Sequence, residues 1–368
     1  MDVTAFVDAG LYDPEAADAD VRLALLRFLT EEVGASIPEI VQAIEEDRLL
    51  SMAALRLIRP EGARSTLAQI AQRAGVTSTF ALRVWRAAGF PDPRPFERNF
   101  GEADVALLDL LRIGREFVGE EATLQLVRTL GTASAQIAEA EISMVRSNME
   151  APLLADQQFV EVARTYRDIV AQLFPRIVDA IDTLHRHHVQ AISRRYIGTS
   201  PSTANVVALA VGFADLSGYT GISSKLDPVQ LGIMLDRFEA TTGDVVAAAG
   251  ANVVKRIGDA VMFVTNAPGI ACTLAIDLVD ACAAARLPKL RVGVAFGDVV
   301  VRHGDFYGPT VNLAARLVAA ADPGTVLADA TLHGRLGRMR TAYTFVPGGR
   351  LTLSGFDGPV EAFQLLRN

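Results

Sequence analysis

From residue 18 to about residue 150, apolar positions recur at spacings of three and four, as in DVRLALLRFLTEEV, IPEIVQAIEE and GEADVALLDLLRIGREFV. That periodicity predicts amphipathic helices. Ser36 followed by Pro38 and Glu39 predicts a helix start, while GFPDPRPF at residues 89–96 and Gly119 predict interruptions, so several short helices are expected. No period of 20 to 50 residues recurs, which argues against a solenoid.

Residues 156–203 carry a different pattern. Phe159, Val162, Tyr166, Ile169 and Leu173 follow alternating spacings of three and four, and after Pro175 the pattern resumes with Ile177, Ile181, Leu184, His188 and Ala191. Such a seam favours helix pairing between chains, with a kink or break expected at Pro175. The segment closes on IGTSPSTAN, residues 197–205, whose small and turn-forming residues mark a domain boundary.

Beyond residue 205 apolar runs alternate with helical patterns. VVALAVGFA reads as a buried strand, LDPVQLGIMLDRFEATTGDVVAAAG as a helix, and ANVVKRIGDAVMFVT as a hairpin turning at Ile257 to Asp259. A helix over residues 268–286, a strand pair in LRVGVAFGDVVVRHG and a helix in TVNLAARLVAAA follow. Hairpins mixed with crossover helices predict an α+β order with a ferredoxin-like core. Three parts are therefore expected: an all-helical domain over residues 1–155, a helical dimerisation or transducing linker over 156–203, and an α+β domain over 204–368.

Composition narrows the function. Half of the 368 residues are hydrophobic and 21% are charged, which excludes a disordered or collagen-like chain. Residues 1–200 hold 21 Lys and Arg against 29 Asp and Glu, whereas residues 201–368 hold 14 against 14, so the net charge of −8 belongs to the helical half. That balance argues against nucleic acid as a partner. No uncharged apolar run approaches the length of a bilayer span, and MDVTAFVDAG lacks the basic and apolar regions of a secretory signal. Cys272 and Cys282 lie ten apart in a helix-like segment, too far for a disulfide. A reduced, cytoplasmic protein is expected.

Two features of the helical part invite function. Residues 65–90, STLAQIAQRAGVTSTFALRVWRAAGF, read as a helix-turn-helix, with Leu67, Ile70 and Ala71 inward on the first helix, Gly75 at the turn, and Leu82 and Trp85 packing the second. The segment from Arg56 to Arg98 holds eight arginines against Glu61, Asp92 and Glu97. It resembles regulators of the mercury-resistance type, which implies DNA reading; a compact helical packing unit is the plainer account. His185, His187 and His188 cluster before the linker. Histidine is the side chain whose charge changes near neutrality, so this cluster is either a pH switch or a solvated patch.

The candidate chemistry lies in the α+β part. Neither GxxxxGK[ST] nor a strand-borne GxGxxG occurs, so any nucleotide must be held by metal ions and separate side chains. Asp215 closes the first predicted strand in GFADLSGYT and Asp259 sits at a hairpin tip in VKRIGDAVMF. Two carboxylates at neighbouring strand ends suit Mg²⁺ bound to substrate phosphates. Lys255 is one of three lysines beside 32 arginines, so its compact ammonium stands out. Asn312 and Arg316, four apart in a predicted helix, project from one face.

FADLSGYT, VKRIGDAVMF, GDFYGPTVNLAARL, DPGTVLAD and LSGFDGPVEAFQLL occur in the order and approximate spacing of the class III nucleotide cyclases, and the resemblance covers nearly all of residues 204–368. It implies a ferredoxin-like catalytic domain that converts ATP to 3′,5′-cyclic AMP and pyrophosphate with two Mg²⁺ or Mn²⁺ ions per active site. Asp215 and Asp259 match the metal pair, Lys255 and Asp305 the purine-reading positions, and Asn312 and Arg316 the pair that orients the ribose and stabilises the phosphoryl transition state. The resemblance further implies a homodimer with shared clefts, the metal aspartates from one protomer and the other four residues from its partner. The stretch from Gly297 to Asp305 is shorter than in the mammalian enzymes, which implies a reduced dimer arm. The N-terminal half resembles the regulatory domain of mycobacterial pH-sensing adenylyl cyclases, which implies autoinhibition released at mildly acid pH and a fatty-acid ligand for that domain. The alternative is a DNA-binding regulator whose cyclase-like domain senses nucleotide without turning it over.

Overall fold

The computed structural model describes residues 3–58, 65–155, 158–193 and 205–368. The chain divides into two compact units, Met1–Ile192 and Ser193–Asn368. The expected boundaries at 155/156 and 203/204 touch residues 156–157 and 194–204, and the Gly/Ser/Pro stretch up to residue 204 lies outside the described residues.

The first unit is helical: α1 (Val3–Asp8), α2 (Ala19–Arg27), α3 (Ile37–Glu45), α4 (Met52–Ile58), α5 (Leu67–Arg73), α6 (Ser78–Ala87), α7 (Glu102–Val118), α8 (Glu120–Val145), α9 (Ala151–Ala155), α10 (Phe159–Gln172) and α11 (Phe174–Ser193). Capping explains several starts. Ser36 and Glu39 form a capping box ahead of α3, Thr66 and Gln69 another ahead of α5. Two apolar clusters hold the unit. One gathers Phe6, Leu26, Leu29 and Ile40 with Ala163 of α10; the other gathers Ile70, Phe80, Val84, Phe100, Leu108 and Leu124. Of the seam over residues 159–191, Val162 is thus buried against its own chain, whereas α11 buries none of its residues. The break predicted at Pro175 falls at Leu173, where α10 gives way to α11.

The second unit is built on β1 (Val206–Leu216), β2 (Asn252–Ile257), β3 (Ala260–Thr265), β4 (Leu290–Arg302), β5 (Asp305–Tyr307), β6 (Val326–Asp329), β7 (Tyr343–Leu351) and β8 (Val360–Arg367). Its helices are α12 (Tyr219–Ser223), α13 (Pro228–Ala248), α14 (Pro268–Ala284), α15 (Pro309–Ala320) and α16 (Ala330–Arg335). The sheet order is β2-β3-β1-β4-β6-β8-β7, with β5 paired to β4. Strands β1 to β4 with α13 and α14 form the split βαβ arrangement of a ferredoxin-like core.

Strict alternation along β1 fixes which side chain meets which layer. Ala210, Ala214 and Leu216 join the cluster with α13 and α14, while Leu209, Val211 and Phe213 join the cluster with α15. Asp215 follows the second set by parity, and so does Arg291, its register partner on β4. Lys255 pairs with Met262, whose side chain packs in the α15 cluster. The candidate residues on these strands therefore share the face that α15 covers.

One local expectation changes. LRVGVAFGDVVVRHG forms one 13-residue strand, β4, followed by a tight turn at His303 and Gly304, not a strand pair. Gly297 marks room for a neighbour: a Cβ there would lie 2.7 Å from the Thr310 hydroxyl oxygen. In α6 the fully buried residues are Phe80, Ala81 and Val84, and Trp85 packs half-buried against the same cluster, edge-on to Phe100 and stacked on Phe90 with ring centroids 4.9 and 4.3 Å apart. Cys272 and Cys282 are buried free thiols in α14, as the ten-residue spacing requires.

Candidate active site

β1 delivers Asp215 to its C-terminal end, and the tight turn at Gly258 (φ +61°) delivers Asp259 beside it. The amide of Leu216 donates to the carbonyl of Asp259 at 3.2 Å, which locks the two strand ends together. Burial is the main cause that lifts the Asp259 carboxyl above its ordinary range, and the nearby charge of Asp215 adds to it. Such a pair gains from a shared cation.

Arg291 faces the same point from β4. Its Nε and a terminal nitrogen donate to Asp215 Oδ2 at 2.8 and 2.5 Å. Sequence reading passed over this residue. Its signal was a single charge in an apolar strand, at a position whose meaning depends on which strand lies alongside.

Lys255 and Asp305, fifty residues apart, come together: Nζ donates to Oδ2 at 2.5 Å, and Oδ1 accepts the amide of Phe306 at 2.8 Å. The tight turn at His303 and Gly304 is what brings β5, and with it Asp305, back along β4. Asn312 and Arg316 stand exposed on α15, one turn apart. That helix opens on Pro309 at its first turn, a position where proline fits without loss. Thr310 ties it to β4 by donating to the Asp298 carbonyl at 2.8 Å. Gly293 lets α15 lie directly on the strand backbone, since a Cβ there would approach Val318 N to 2.2 Å. Among the described residues, the carboxylate pair and the Lys255–Asp305 pair are separate clusters with no hydrogen bond between them.

The carboxylate pair fits a hard divalent ion. No group of three or more His, Cys, Asp or Glu side chains gathers among the described residues. Two carboxylates are the usual protein share of a Mg²⁺ site whose remaining positions go to water and substrate phosphates.

In the helical unit, His185, His187 and His188 lie exposed along α11. The helix-turn-helix arginines are engaged within the chain: Arg73 with Glu102, Arg83 with Glu120 and Arg86 with Asp92. Arg59 and Arg64 lie outside the described residues. A basic face free for DNA is not what these pairs leave.

The sheet order and its crossing helices define a cyclase-type α+β unit that follows a helical unit. Residues 202–367 match the family model of the adenylate and guanylate cyclase catalytic domain, and residues 5–191 that of the adenylate cyclase regulatory domain. The chain belongs to the adenylate cyclases that join these two domains. It is 39% identical to an uncharacterised protein of Mycobacterium tuberculosis (strain H37Rv), across 100% of this chain and 95% of the relative. It is 36% identical to an adenylate cyclase of Streptomyces coelicolor over 76% of this chain and 73% of the relative. A pH-sensitive adenylate cyclase of M. tuberculosis (strain CDC 1551) is 27% identical over 94% of this chain and 88% of the relative. No helix among the described residues is long and apolar enough to cross a membrane.

Proposed function

We propose that the chain converts ATP to 3′,5′-cyclic AMP and pyrophosphate in clefts shared by two copies. The observation that carries this reading is the adjacency of Asp215 and Asp259 at two strand ends, on the sheet face that also bears Lys255 and, through α15, Asn312 and Arg316. In the reaction the ribose 3′-oxygen bonds to the α-phosphorus, its proton leaves, and the bond from the α-phosphorus to the bridging oxygen breaks to release pyrophosphate.

Asp215 and Asp259 would hold two Mg²⁺ or Mn²⁺ ions, which when bound supply charge for the nucleophile and the phosphates. Arg291 neutralises Asp215 and offers a guanidinium to the phosphate side of the cleft. Lys255 and Asp305 each exchange their mutual contact for the adenine edge, Lys255 donating to N1 and Asp305 accepting from N6. Asn312 orients the ribose, and Arg316 meets charge developing on the phosphoryl oxygens.

The division into a regulatory domain (1–155), a transducing linker (156–203) and a catalytic domain (204–368) belongs to the same proposal, as do a cytoplasmic location and a fatty-acid ligand for the helical domain. So does pH control: α11 presents His185, His187 and His188 on its surface, where protonation adds positive charge to an acidic unit.

The test is direct. Purified full chain with ATP and Mn²⁺ is expected to make cyclic AMP, and Lys255→Glu to lower its preference for ATP over GTP. No product between pH 5 and 8 defeats the proposal. Replacing the three histidines with glutamine is expected to flatten the activity profile over that range; an unchanged profile removes them as the sensor.

A further inference from the structure

β4 is a 13-residue strand whose two edges are covered unequally. β1 runs along one edge from Leu290 to Val300. Toward the other edge the even-numbered residues turn their backbone polar groups: the carbonyl of Leu290 accepts from Gly324 and the amide of Val292 donates to Thr325. β6 pairs with that edge as far as Val294, and β5 takes it up again at Val300. Between them Phe296 and Asp298 face neither strand, so their backbone groups need other partners.

Two side chains supply them. Asp329 Oδ1 accepts the Phe296 amide at 3.1 Å, and the Thr310 hydroxyl donates to the Asp298 carbonyl at 2.8 Å. Asp329 ends β6, so its bond joins strand to strand. Thr310 instead belongs to the first turn of α15, the helix that bears Asn312 and Arg316. It is 9% exposed, and its hydroxyl oxygen lies 2.7 Å from where a Cβ on Gly297 would stand. Among the described residues this is the one hydrogen bond from an α15 side chain to the sheet.

The rest of that contact is apolar. Ala314 and Leu317 are fully buried, and Gly293 admits the helix backbone at Val318. Such packing holds a helix down but has no direction of its own, so it resists a roll about the helix axis only weakly. A hydrogen bond does have direction and weakens steeply with angle. At 3.6 residues per turn, Thr310 and Asn312 project roughly 200° apart around α15, one toward the strand and the other, with Arg316 a turn later, into the open. A roll of about 15° would move groups some 6 Å from the axis by roughly 1.5 Å.

We propose that Thr310 is a positioning residue for the cyclase reaction: by closing the open edge of β4, its hydroxyl fixes the roll of α15 and with it the directions of Asn312 and Arg316. Gly297 is its counterpart, bare of a side chain so that the hydroxyl can reach the strand. Thr310 acts through Asn312 and Arg316, and its role rests on the ATP-cyclising reading of those two residues.

The test uses the full chain with ATP and Mn²⁺. Thr310→Val keeps the shape and removes the donor, and it is expected to lower kcat by roughly tenfold to a hundredfold. KM for ATP and the preference for ATP over GTP should stay within about twofold, because Lys255 and Asp305 stand on β2 and β5 and not on α15. Thr310→Ser keeps the donor and loses a buried methyl, so it should retain most of the wild-type kcat although its Tm falls. Gly297→Ala crowds the same hydroxyl without removing it and is expected to lower kcat in the same way, which supplies the measurement should the valine variant fail to fold. In an Arg316→Ala background Thr310→Val should cost clearly less than it does alone, since one of the groups it misplaces is gone. A kcat within about twofold of wild type for both Thr310→Val and Gly297→Ala overturns the proposal. So does a serine variant that loses as much as the valine, or full multiplication of the losses in the double variant, either of which would mark a general loosening of the fold. Absence of cyclic AMP from the wild-type chain would overturn the cyclase reading itself, and this role of Thr310 with it.

Discussion

Asp329, 3% exposed at the end of β6, accepts the amides of Phe296 and Leu332 on Oδ1, at 3.1 and 3.0 Å, and that of Thr331 on Oδ2 at 3.2 Å. Burial lifts its carboxyl above the ordinary range despite these donors. The neutral form is therefore favoured more in the fold than in the open chain. Its contribution to stability is complete below the open-chain value and is lost as pH rises through the folded one. Asp329→Asn is expected to remove that slope from urea unfolding followed between pH 4 and 8. Asp329→Ala, which strands three amides, should cost about 1–3 kcal/mol throughout. A second residue-scale expectation concerns Arg291: alanine there should lower kcat/KM for ATP by roughly a hundredfold, with lysine intermediate because it keeps the charge but not the two-nitrogen contact. Asp215, Asp259 and Lys255 were conspicuous in the sequence because each is a charge or a scarce residue in apolar or small company. Arg291 and Asp329 were not, since both act across strands whose register no local pattern displays.

Elements were legible where one periodicity dominated. β1, the β2–β3 hairpin, α13, α14 and α15 stand where alternation and three-four spacing put them, and the turn at Gly258 follows from a residue free to take positive φ. The misreading came where a glycine had a tertiary purpose. The strand pair expected in LRVGVAFGDVVVRHG is one strand, β4, in which Gly297 accommodates Thr310 and Gly293 the backbone of α15. In α6, Trp85 does pack the second helix as its size suggested: it lies half-buried against the core of Phe80, Ala81 and Val84, edge-on to Phe100, with its indole nitrogen donating to the Pro91 carbonyl at 2.8 Å. Gly293→Val is therefore expected to lift α15 from the sheet. Overpacking of this kind costs about 1–3 kcal/mol, and an ångström of misplacement for Asn312 and Arg316 should lower kcat by roughly a hundredfold. Thermal unfolding and steady-state kinetics on one preparation check both. Gly232→Ala in α13, where a Cβ meets nothing within 4 Å, is the contrasting case and should stabilise by roughly 0.5–1 kcal/mol with kinetics unchanged.

At the scale of the molecule, the uneven charge acquires a physical meaning. The half that would receive a polyanionic substrate holds equal numbers of acidic and basic residues, while the excess of acid lies in the helical half, along with the histidines of α11. Lys255 and Asp259 are only four residues apart, and the cyclase resemblance implied that they serve different clefts. In the fold they join separate clusters: Asp259 lies beside Asp215, and Lys255 bonds Asp305. If each cleft takes the aspartates of one copy and the remaining residues of the other, two inactive proteins should repair one another. Asp215→Asn and Arg316→Ala are each expected to be nearly inactive. Mixed in equal amounts and allowed to exchange, half of the dimers become heterodimers, and each of these has one cleft with both substitutions and one with neither. Restored activity should then approach about a quarter of the wild-type value, the share of intact clefts that two-fold assembly allows. The measurement is cyclic AMP production against mixing ratio, which should peak at equal amounts. A flat, low response would show that each cleft is assembled within one chain.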